Sequence, residues 1–226
     1  MASVNEWIVR EYLESLGFLV RQPQKSQVVA RSKGAHEQVD LLALNPAVAE
    51  MASLPDEMLW GGRELSKVSS AILTVRGWHS ERFTAAMLAS TPELYRFAEP
   101  ESVHAAEVDL GRKNPAKILC MADLPSDAES RNEALEFLKS RGIDGVILFR
   151  PMLLELANHV DVKKVYEKSD LLQILRILKN YDLLKTGQMD LFAPARRRKS
   201  VSRVAEPAVE KTEELPLTDS EDTPQG

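Results

Sequence analysis

The sequence predicts an α/β protein in which a mixed sheet is flanked by helices, with two more helices near the end of the domain and then a disordered tail. Three observations support this fold class. The chain of 226 residues opens with an apolar pattern of helical spacing. Short apolar segments typical of strands then alternate with further helical patterns as far as residue 184. Residues 185–226 are rich in Pro, Ser and Glu without apolar periodicity, so we expect one domain over 1–184 and a disordered tail over 185–226.

The predicted elements follow one another in a simple order. The first helix, 4–16, has a broad apolar face that includes Trp7 and Tyr12, and Gly17 ends it. We expect one or two strands within 18–30 and single strands at 39–44, 71–75, 116–122 and 145–149. We expect further helices at 81–89, 92–97, 128–140, 151–160 and 169–184. Residues 47–69 form an insertion in which 47–54 could be a short helix and the Gly61-Gly62 pair breaks the pattern.

The composition is that of a soluble globular protein, with 44% hydrophobic and 28% charged residues. No apolar run approaches the ~18 residues that a membrane helix needs, and the first residues lack the basic and apolar segments of an export signal. Cys120 is the single cysteine, so an internal disulfide is excluded. We therefore expect a cytoplasmic protein that does not bind membranes. Because the net charge is −5, any affinity for nucleic acid must come from local patches.

Polar residues recur at three places in the predicted core. Glu6 lies on the first helix. Glu37 and Asp40 come just before the apolar segment 41–44, and Thr74-x-Arg76 lies at the end of the strand 71–75. In this order the segments resemble the PD-(D/E)XK superfamily of restriction-endonuclease-like and Holliday-junction-resolvase-like proteins. The resemblance covers roughly the first half to two-thirds of the chain. It implies a restriction-endonuclease-like core of helix, three strands, helix and strand.

The resemblance also implies a set of site residues. In an active member two carboxylates and a strand carbonyl hold Mg²⁺, which activates the attacking water, and a lysine offsets the developing charge. The corresponding catalytic positions here are Glu6, Asp40, Thr74 and Arg76, with Asp40 and Glu6 as the remaining candidates for metal ligands and the Val75 carbonyl beside them. Thr74 is neutral and cannot replace a carboxylate, whereas Arg76 keeps a permanent charge that can bind a phosphate with two hydrogen bonds. The prediction is a DNA-associated protein with impaired or absent cleavage.

Alternatives stay open at this stage. Glu81 could supply the missing acid, which would make the protein an active, metal-dependent DNA endonuclease. The domain could instead be a non-enzymatic interaction module. Asp40 could cap a turn or form a structural ion pair with Arg76, and Glu6 could be a solvated helix charge. His79 fits packing or a surface position better than catalysis.

A second pattern lies in the tail. The segment Gln188, Met189, Asp190, Leu191 and Phe192 resembles the pentapeptide by which bacterial polymerases and mismatch-repair proteins bind the replication sliding clamp. In that interaction Leu191 and Phe192 would fill an apolar pocket, and the Gln188 amide would fix the register. The alternative is that these residues pack on the last helix.

A basic run follows this pentapeptide. It comprises Arg196, Arg197, Arg198 and Lys199, with Arg203 close behind. A clamp encircles DNA, so a run this close to a clamp-bound segment would lie near the duplex and bind its phosphates. A solubilising charge run is the alternative. With the nuclease-like core, these features predict a role in DNA repair, recombination or replication-linked processing.

Overall fold

A five-stranded mixed sheet organises the chain. A computed structural model of the protein describes residues 3–23, 39–50, 53–80 and 82–184. The strands are β1 (Leu19–Arg21), β2 (Leu41–Leu44), β3 (Ser70–Arg76), β4 (Ala116–Met121) and β5 (Gly145–Leu148). They lie side by side in the order β1-β2-β3-β4-β5. The pairs β1–β2 and β2–β3 are antiparallel, whereas the pairs β3–β4 and β4–β5 are parallel.

Helices connect and cover these strands. They are α1 (Val4–Ser15), α2 (Gly62–Leu65), α3 (Ala85–Ser90), a 3-10 helix (Pro92–Ala98), α4 (Pro100–Leu110), α5 (Ala128–Ser140), α6 (Phe149–His159) and α7 (Asp170–Asn180). Short polar side chains begin several of them: the oxygens of Ser3, Thr84, Asp127 and Ser169 accept hydrogen bonds from backbone N–H groups of the first turns of α1, α3, α5 and α7. None of the helices among these described residues is long and apolar enough to span a bilayer.

Alternation along the strands divides the core into two layers. In β3, Ala71, Leu73 and Val75 belong to one buried cluster, and Ile72 belongs to the other. Residues of α1, α6 and α7 complete the first cluster, whereas residues of α3, α4 and α5 complete the second. Successive side chains of a strand point to opposite faces of the sheet. The sheet is therefore covered by helices on both faces.

The same alternation places three polar residues on one face. Thr74 and Arg76 follow Ile72 at intervals of two along β3. The backbone N–H of Asp40 donates to the Leu73 carbonyl at 2.9 Å, so Asp40 continues the ladder of β2 just before its first residue. Asp40 precedes Leu42 by two positions, and Leu42 belongs to the same cluster as Ile72. Asp40, Thr74 and Arg76 consequently share the face covered by α3, α4 and α5.

The α/β class, the mixed sheet and the flanking helices predicted from the sequence are confirmed. Residues 47–50 form turns where a short helix was considered, and α2 begins at the glycine pair that was expected only to break the pattern. The sequence analysis missed α4 altogether. The strand expected within 18–30 covers Leu19–Arg21, and residues 24–30 lie outside the described residues. The predicted disordered tail, 185–226, lies outside them as well.

Candidate functional site

The carboxylate of Asp40 is the centre of the candidate site. Its Oδ2 atom accepts three hydrogen bonds: from Thr74 Oγ1 at 3.0 Å, from the Val75 N–H at 2.7 Å and from Arg76 Nη1 at 2.9 Å. All three donors come from consecutive residues of β3. The structure therefore brings together three of the four predicted catalytic positions. It also confirms the simpler alternative, a structural ion pair between Asp40 and Arg76.

Only part of the Arg76 guanidinium is occupied. Nη1 donates both to Asp40 Oδ2 and to the Val75 carbonyl, the latter at 2.8 Å. Nε and Nη2 have no hydrogen-bond acceptor among the residues that the structure describes. The side chain keeps 26% of its surface exposed. A guanidinium presents N–H groups in a planar fork. The edge formed by Nε and Nη2 can therefore still donate hydrogen bonds to two oxygens of one phosphate.

Glu6 lies on a helix that packs against the opposite face of the sheet. Its helix, α1, buries Val9, Tyr12 and Leu13 in the cluster that contains Leu73, whereas Thr74 faces the other cluster. The Glu6 carboxylate accepts from Gln22 Nε2 at 3.0 Å. Within the described part of the chain, no hydrogen bond or ion pair joins Glu6 to Asp40 or Arg76. Three of the four predicted site residues, Asp40, Thr74 and Arg76, are therefore joined by hydrogen bonds. Among the described residues, Glu6 is not joined to them in this way.

The turn after β3 is fixed by α1 and α6. A Cβ added at Gly77 would overlap the side-chain amide of Asn5, so a larger residue here would force Asn5 to move. Asn5 Oδ1 in turn lies 3.0 Å from His79 Nε2. The His79 ring packs edge-on against Phe149, with the ring centroids 4.8 Å apart. His79 thus contributes packing and a hydrogen bond, as the sequence analysis favoured.

One feature of this turn was missed from the sequence. Trp78 stacks on Phe83, with ring centroids 5.5 Å apart and planes 10° from parallel. Phe83 is buried, but Trp78 keeps 40% of its surface exposed. The sequence does not reveal this stack, because a lone aromatic residue in a turn does not distinguish a core contact from a surface platform.

The residues present do not fit a magnesium site of the kind that the resemblance implies. The position of the second carboxylate is Thr74, which is completely buried and donates to Asp40. Asp40 Oδ2 is paired with a guanidinium, and the Val75 carbonyl accepts from that same group. Mg²⁺ relies on anionic oxygens that are free to coordinate it. Among the described residues, no cluster of three or more His, Cys, Asp or Glu side chains could hold a metal ion.

Several predicted residues cannot be assessed. Glu37 and Glu81 lie outside the described residues, as does the whole tail with Gln188, Met189, Asp190, Leu191, Phe192, Arg196, Arg197, Arg198, Lys199 and Arg203. The relocated acid, the clamp-binding segment and the basic run therefore stay predictions.

Titratable groups in the core are held in their neutral forms. Burial raises the pKa of Cys120 well above its ordinary value, with a further contribution from the charge of Asp40. Burial also raises the pKa of Tyr12, and the hydrogen bond from its hydroxyl to Glu155 Oε2 at 2.6 Å adds to this effect. Glu155 accepts from the Gly62 N–H at 3.1 Å as well, so it joins α1, α2 and α6. A buried, protonated thiol is a poor nucleophile, so Cys120 is a packing residue.

A second cleft lies at the amino-terminal edge of the parallel strands. Lys117 and Asp144, which are joined by an ion pair of 3.0 Å, line it together with the exposed Lys139 at the end of α5. Arg76 ends β3 at the opposite edge of the sheet, so this cleft and the cluster around Asp40 are separate surfaces.

Comparisons of the chain with protein-family models, with curated proteins and with solved structures find no match. The class that the fold defines is thus an α/β protein with a mixed sheet and a polar cluster at one edge. Its function has to be inferred from the chemistry of that cluster.

Proposed function

We propose that the edge formed by Asp40, Thr74 and Arg76 binds DNA phosphates without cleaving them, in DNA repair, recombination or replication-linked processing. The carrying observation is the divided use of the Arg76 guanidinium: Nη1 is held by Asp40, whereas Nε and Nη2 are left for a ligand. An arginine fixed in this way loses little side-chain freedom on binding a phosphate. Its charge is permanent, so the site needs no metal to attract the anion.

The arrangement of elements supports the same proposal. The resemblance to PD-(D/E)XK proteins implies a core of helix, three strands, helix and strand, and α1, the strands β1 to β3, the helices after β3 and then β4 follow one another in this order, with the short α2 before β3. Asp40 and the Thr74-x-Arg76 pair lie on neighbouring strands of that core and on one face. A nuclease core whose second carboxylate is replaced by threonine would retain its phosphate contact and lose its metal. Such a replacement would explain why Asp40 and Arg76 lie next to a buried threonine.

The test is the binding of fluorescent duplex and branched DNA by fluorescence anisotropy at several salt concentrations. Arg76→Gln is expected to weaken binding about tenfold, because a charge-assisted pair of hydrogen bonds is lost. The slope of log K against log salt should fall by about 0.9, the value for one phosphate contact on duplex DNA. Asp40→Asn should bind at least as tightly as the wild type, because it removes a negative charge that competes for Arg76.

The matched control is Lys139→Gln. It makes the same change of charge at an exposed residue beside the cleft at the opposite edge. It should leave binding and its salt slope unaltered. The double variant with Asp40→Asn and Arg76→Gln leaves no unpaired charge, so weak binding by a folded double variant cannot be attributed to a buried carboxylate. Equal losses from Arg76→Gln and Lys139→Gln would reject the Arg76 site.

Recruitment to the sliding clamp is a second part of the proposal, carried by the tail segment Gln188–Phe192. A Leu-Phe pair close to the end of the domain, in an otherwise polar segment, is suited to fill a small apolar pocket. A pull-down with a purified bacterial clamp should capture the full chain and should fail when Leu191 and Phe192 are both changed to Ala. Neutralising the four basic residues 196–199 should leave that capture intact in the absence of DNA. Undiminished capture of the Leu191/Phe192 variant would exclude this segment.

A further inference from the structure

Trp78 stacks on a buried aromatic ring and is itself partly exposed. The stacked contact with Phe83 holds the indole at 10° from parallel to a ring that is itself fully buried. Because 40% of Trp78 is still exposed, part of the residue is open to a ligand. Exposed indoles usually have rotational freedom, which they lose on binding. Here the stack fixes the ring beforehand, so a second planar group can bind to it at low entropic cost.

The stacked ring lies on the same side of the sheet as Arg76. Phe83 belongs to the buried cluster that contains Ile72, and Arg76 lies on that face by the alternation along β3. The neighbour of Phe83 in the chain, Arg82, is exposed and donates from Nη1 to Ser126 Oγ at 2.9 Å, which anchors a second guanidinium. An aromatic platform and two anchored arginines therefore occupy one edge of the molecule.

We propose that Trp78 stacks on an unpaired nucleobase whose phosphate is bound by Arg76, so that the preferred ligand is single-stranded nucleic acid. This inference rests on the proposed function and specifies its substrate class. The ligand should combine a planar π face for the indole with an anionic oxygen for the free N–H groups of Arg76. The bases of an intact duplex are stacked on one another and cannot reach the ring. A strand without a partner, or an unpaired nucleotide in branched DNA, meets both requirements.

The charges around the ring indicate where the affinity comes from. The charge of Asp40 offsets that of Arg76. Asp123 lies close to Arg82, because the N–H of the following residue, Phe83, donates to the Asp123 carbonyl at 3.2 Å. The Asp123 carboxylate accepts from the Leu124 N–H through Oδ1. The local field is thus nearly balanced. With one or two phosphate contacts on a single strand, the salt slope is expected to be only about −0.7 to −1.4. Stacking, which strengthens binding about 5- to 150-fold per base, must supply the rest.

The experiment is a thermodynamic cycle between protein and ligand. The full chain is titrated with a short oligothymidylate and with an abasic oligonucleotide that has the same number of phosphates. The wild type should bind the oligothymidylate about tenfold more tightly, and Trp78→Leu should bind the two equally, because either change alone removes the stack. Trp78→Phe should retain most of the preference. Tyr181→Leu, which removes an aromatic ring that is 71% exposed beyond α7, is the matched control and should behave as the wild type.

The outcomes separate this inference from the function on which it rests. A preference for oligothymidylate that persists in Trp78→Leu would overturn the stacking role, as would tighter binding of intact duplex by the wild type; either result leaves the Arg76 phosphate site standing. Failure of the wild type to bind the oligothymidylate, the abasic oligonucleotide or duplex DNA would overturn both proposals. If Trp78→Leu does not fold, intrinsic fluorescence decides. Oligothymidylate should quench the wild type and leave Trp78→Phe unquenched, and equal quenching of both would reject the inference.

Discussion

Asp40 and Arg76 are joined across neighbouring strands by an ion pair of 2.9 Å, and each side chain keeps about a quarter of its surface exposed, 22% and 26% respectively. The same Asp40 oxygen accepts the Val75 N–H at 2.7 Å and the Thr74 hydroxyl at 3.0 Å. The carboxylate therefore fastens the end of β3 to the beginning of β2. In doing so it also holds the guanidinium that we propose as the phosphate contact.

The pair should be coupled energetically. In a double-mutant cycle of Asp40→Ala and Arg76→Ala, we expect a coupling free energy of about 1–3 kcal/mol, because a carboxylate with three donors loses its charged partner in a partly buried site. Asp40→Ala alone should cost more than Arg76→Ala alone, since it removes the acceptor of the Thr74 hydroxyl and of the Val75 N–H and leaves Arg76 Nη1 with the Val75 carbonyl alone. Urea unfolding measures both quantities. Strictly additive effects would mean that the ion pair contributes nothing to the fold.

Introducing the acid and the lysine that the resemblance to PD-(D/E)XK proteins implies should create a cation site. In the double variant with Thr74→Glu and Arg76→Lys, the new carboxylate comes next to Asp40, and the guanidinium that neutralised Asp40 is gone. Two neighbouring carboxylates repel one another, so we expect a lower melting temperature in the absence of metal and a recovery on adding Mg²⁺. Calorimetry should detect Mg²⁺ binding.

The control for this prediction is the double variant with Thr74→Gln and Arg76→Lys, which has a similar volume and one charge fewer. It should bind no Mg²⁺. Equal Mg²⁺ responses from the two double variants would show that the strand position of Thr74 is not related to a metal site, and would remove one support of the nuclease resemblance.

Much of the fold could be predicted because the signals were local. The boundaries of α5, 128–140, agree between pattern and structure, since an aspartate cap precedes the helix and a glycine at positive φ follows it. The missed helix α4 fully buries only Ser102 and Ala106, and its larger apolar side chains, Val103 and Leu110, are only partly buried, so its apolar stripe is weak. The short helix α2 begins at a glycine because Glu64 accepts from the Gly61 N–H at 3.0 Å, a contact that the glycine pair alone does not suggest.

The candidate site was predictable only in part, for a physical reason. Asp40 and Arg76 could be linked through the alternation of neighbouring strands, which is set by sequence spacing. The division between Glu6 and this pair depends on which face α1 covers, and that is decided by tertiary packing. The exposure of Trp78 likewise depends on Phe83, which reaches it from beyond a turn.

Gly145 should tolerate no side chain while Trp60 is present. A Cβ at Gly145 would lie 2.3 Å from the Trp60 ring, which is 4% exposed and packed in the core. Gly145→Ala is expected to lower the free energy of unfolding by about 1–3 kcal/mol, measured by urea unfolding, because the ring must move in a dense core. Adding Trp60→Phe should recover part of that loss. A Gly145→Ala variant as stable as the wild type would contradict the contact.

Stability should fall in alkaline solution with a contribution from Tyr12. The pKa of Tyr12 is raised by folding, so its stabilising contribution is complete below pH 10, the ordinary value, and is lost as pH rises above it. Burial acts in the same direction on Tyr95 and raises its pKa to about 12. Chemical unfolding followed from pH 8 to 11 should show a shallower alkaline decline for Tyr12→Phe than for the wild type. Parallel declines would rule out this role of the hydroxyl.

Binding and cleavage measured on the same DNA sample test the central claim most directly. The purified protein is incubated with end-labelled linear, branched and single-stranded DNA in Mg²⁺ or Mn²⁺, and the bound and cut fractions are both quantified for the wild type, Asp40→Ala and Arg76→Gln. We expect a retarded complex that contains intact DNA and that forms about tenfold more weakly with Arg76→Gln. Efficient metal-dependent cutting by the wild type that Asp40→Ala abolishes would contradict it and would make the protein an endonuclease with its second acid elsewhere, for which Glu81 is the candidate.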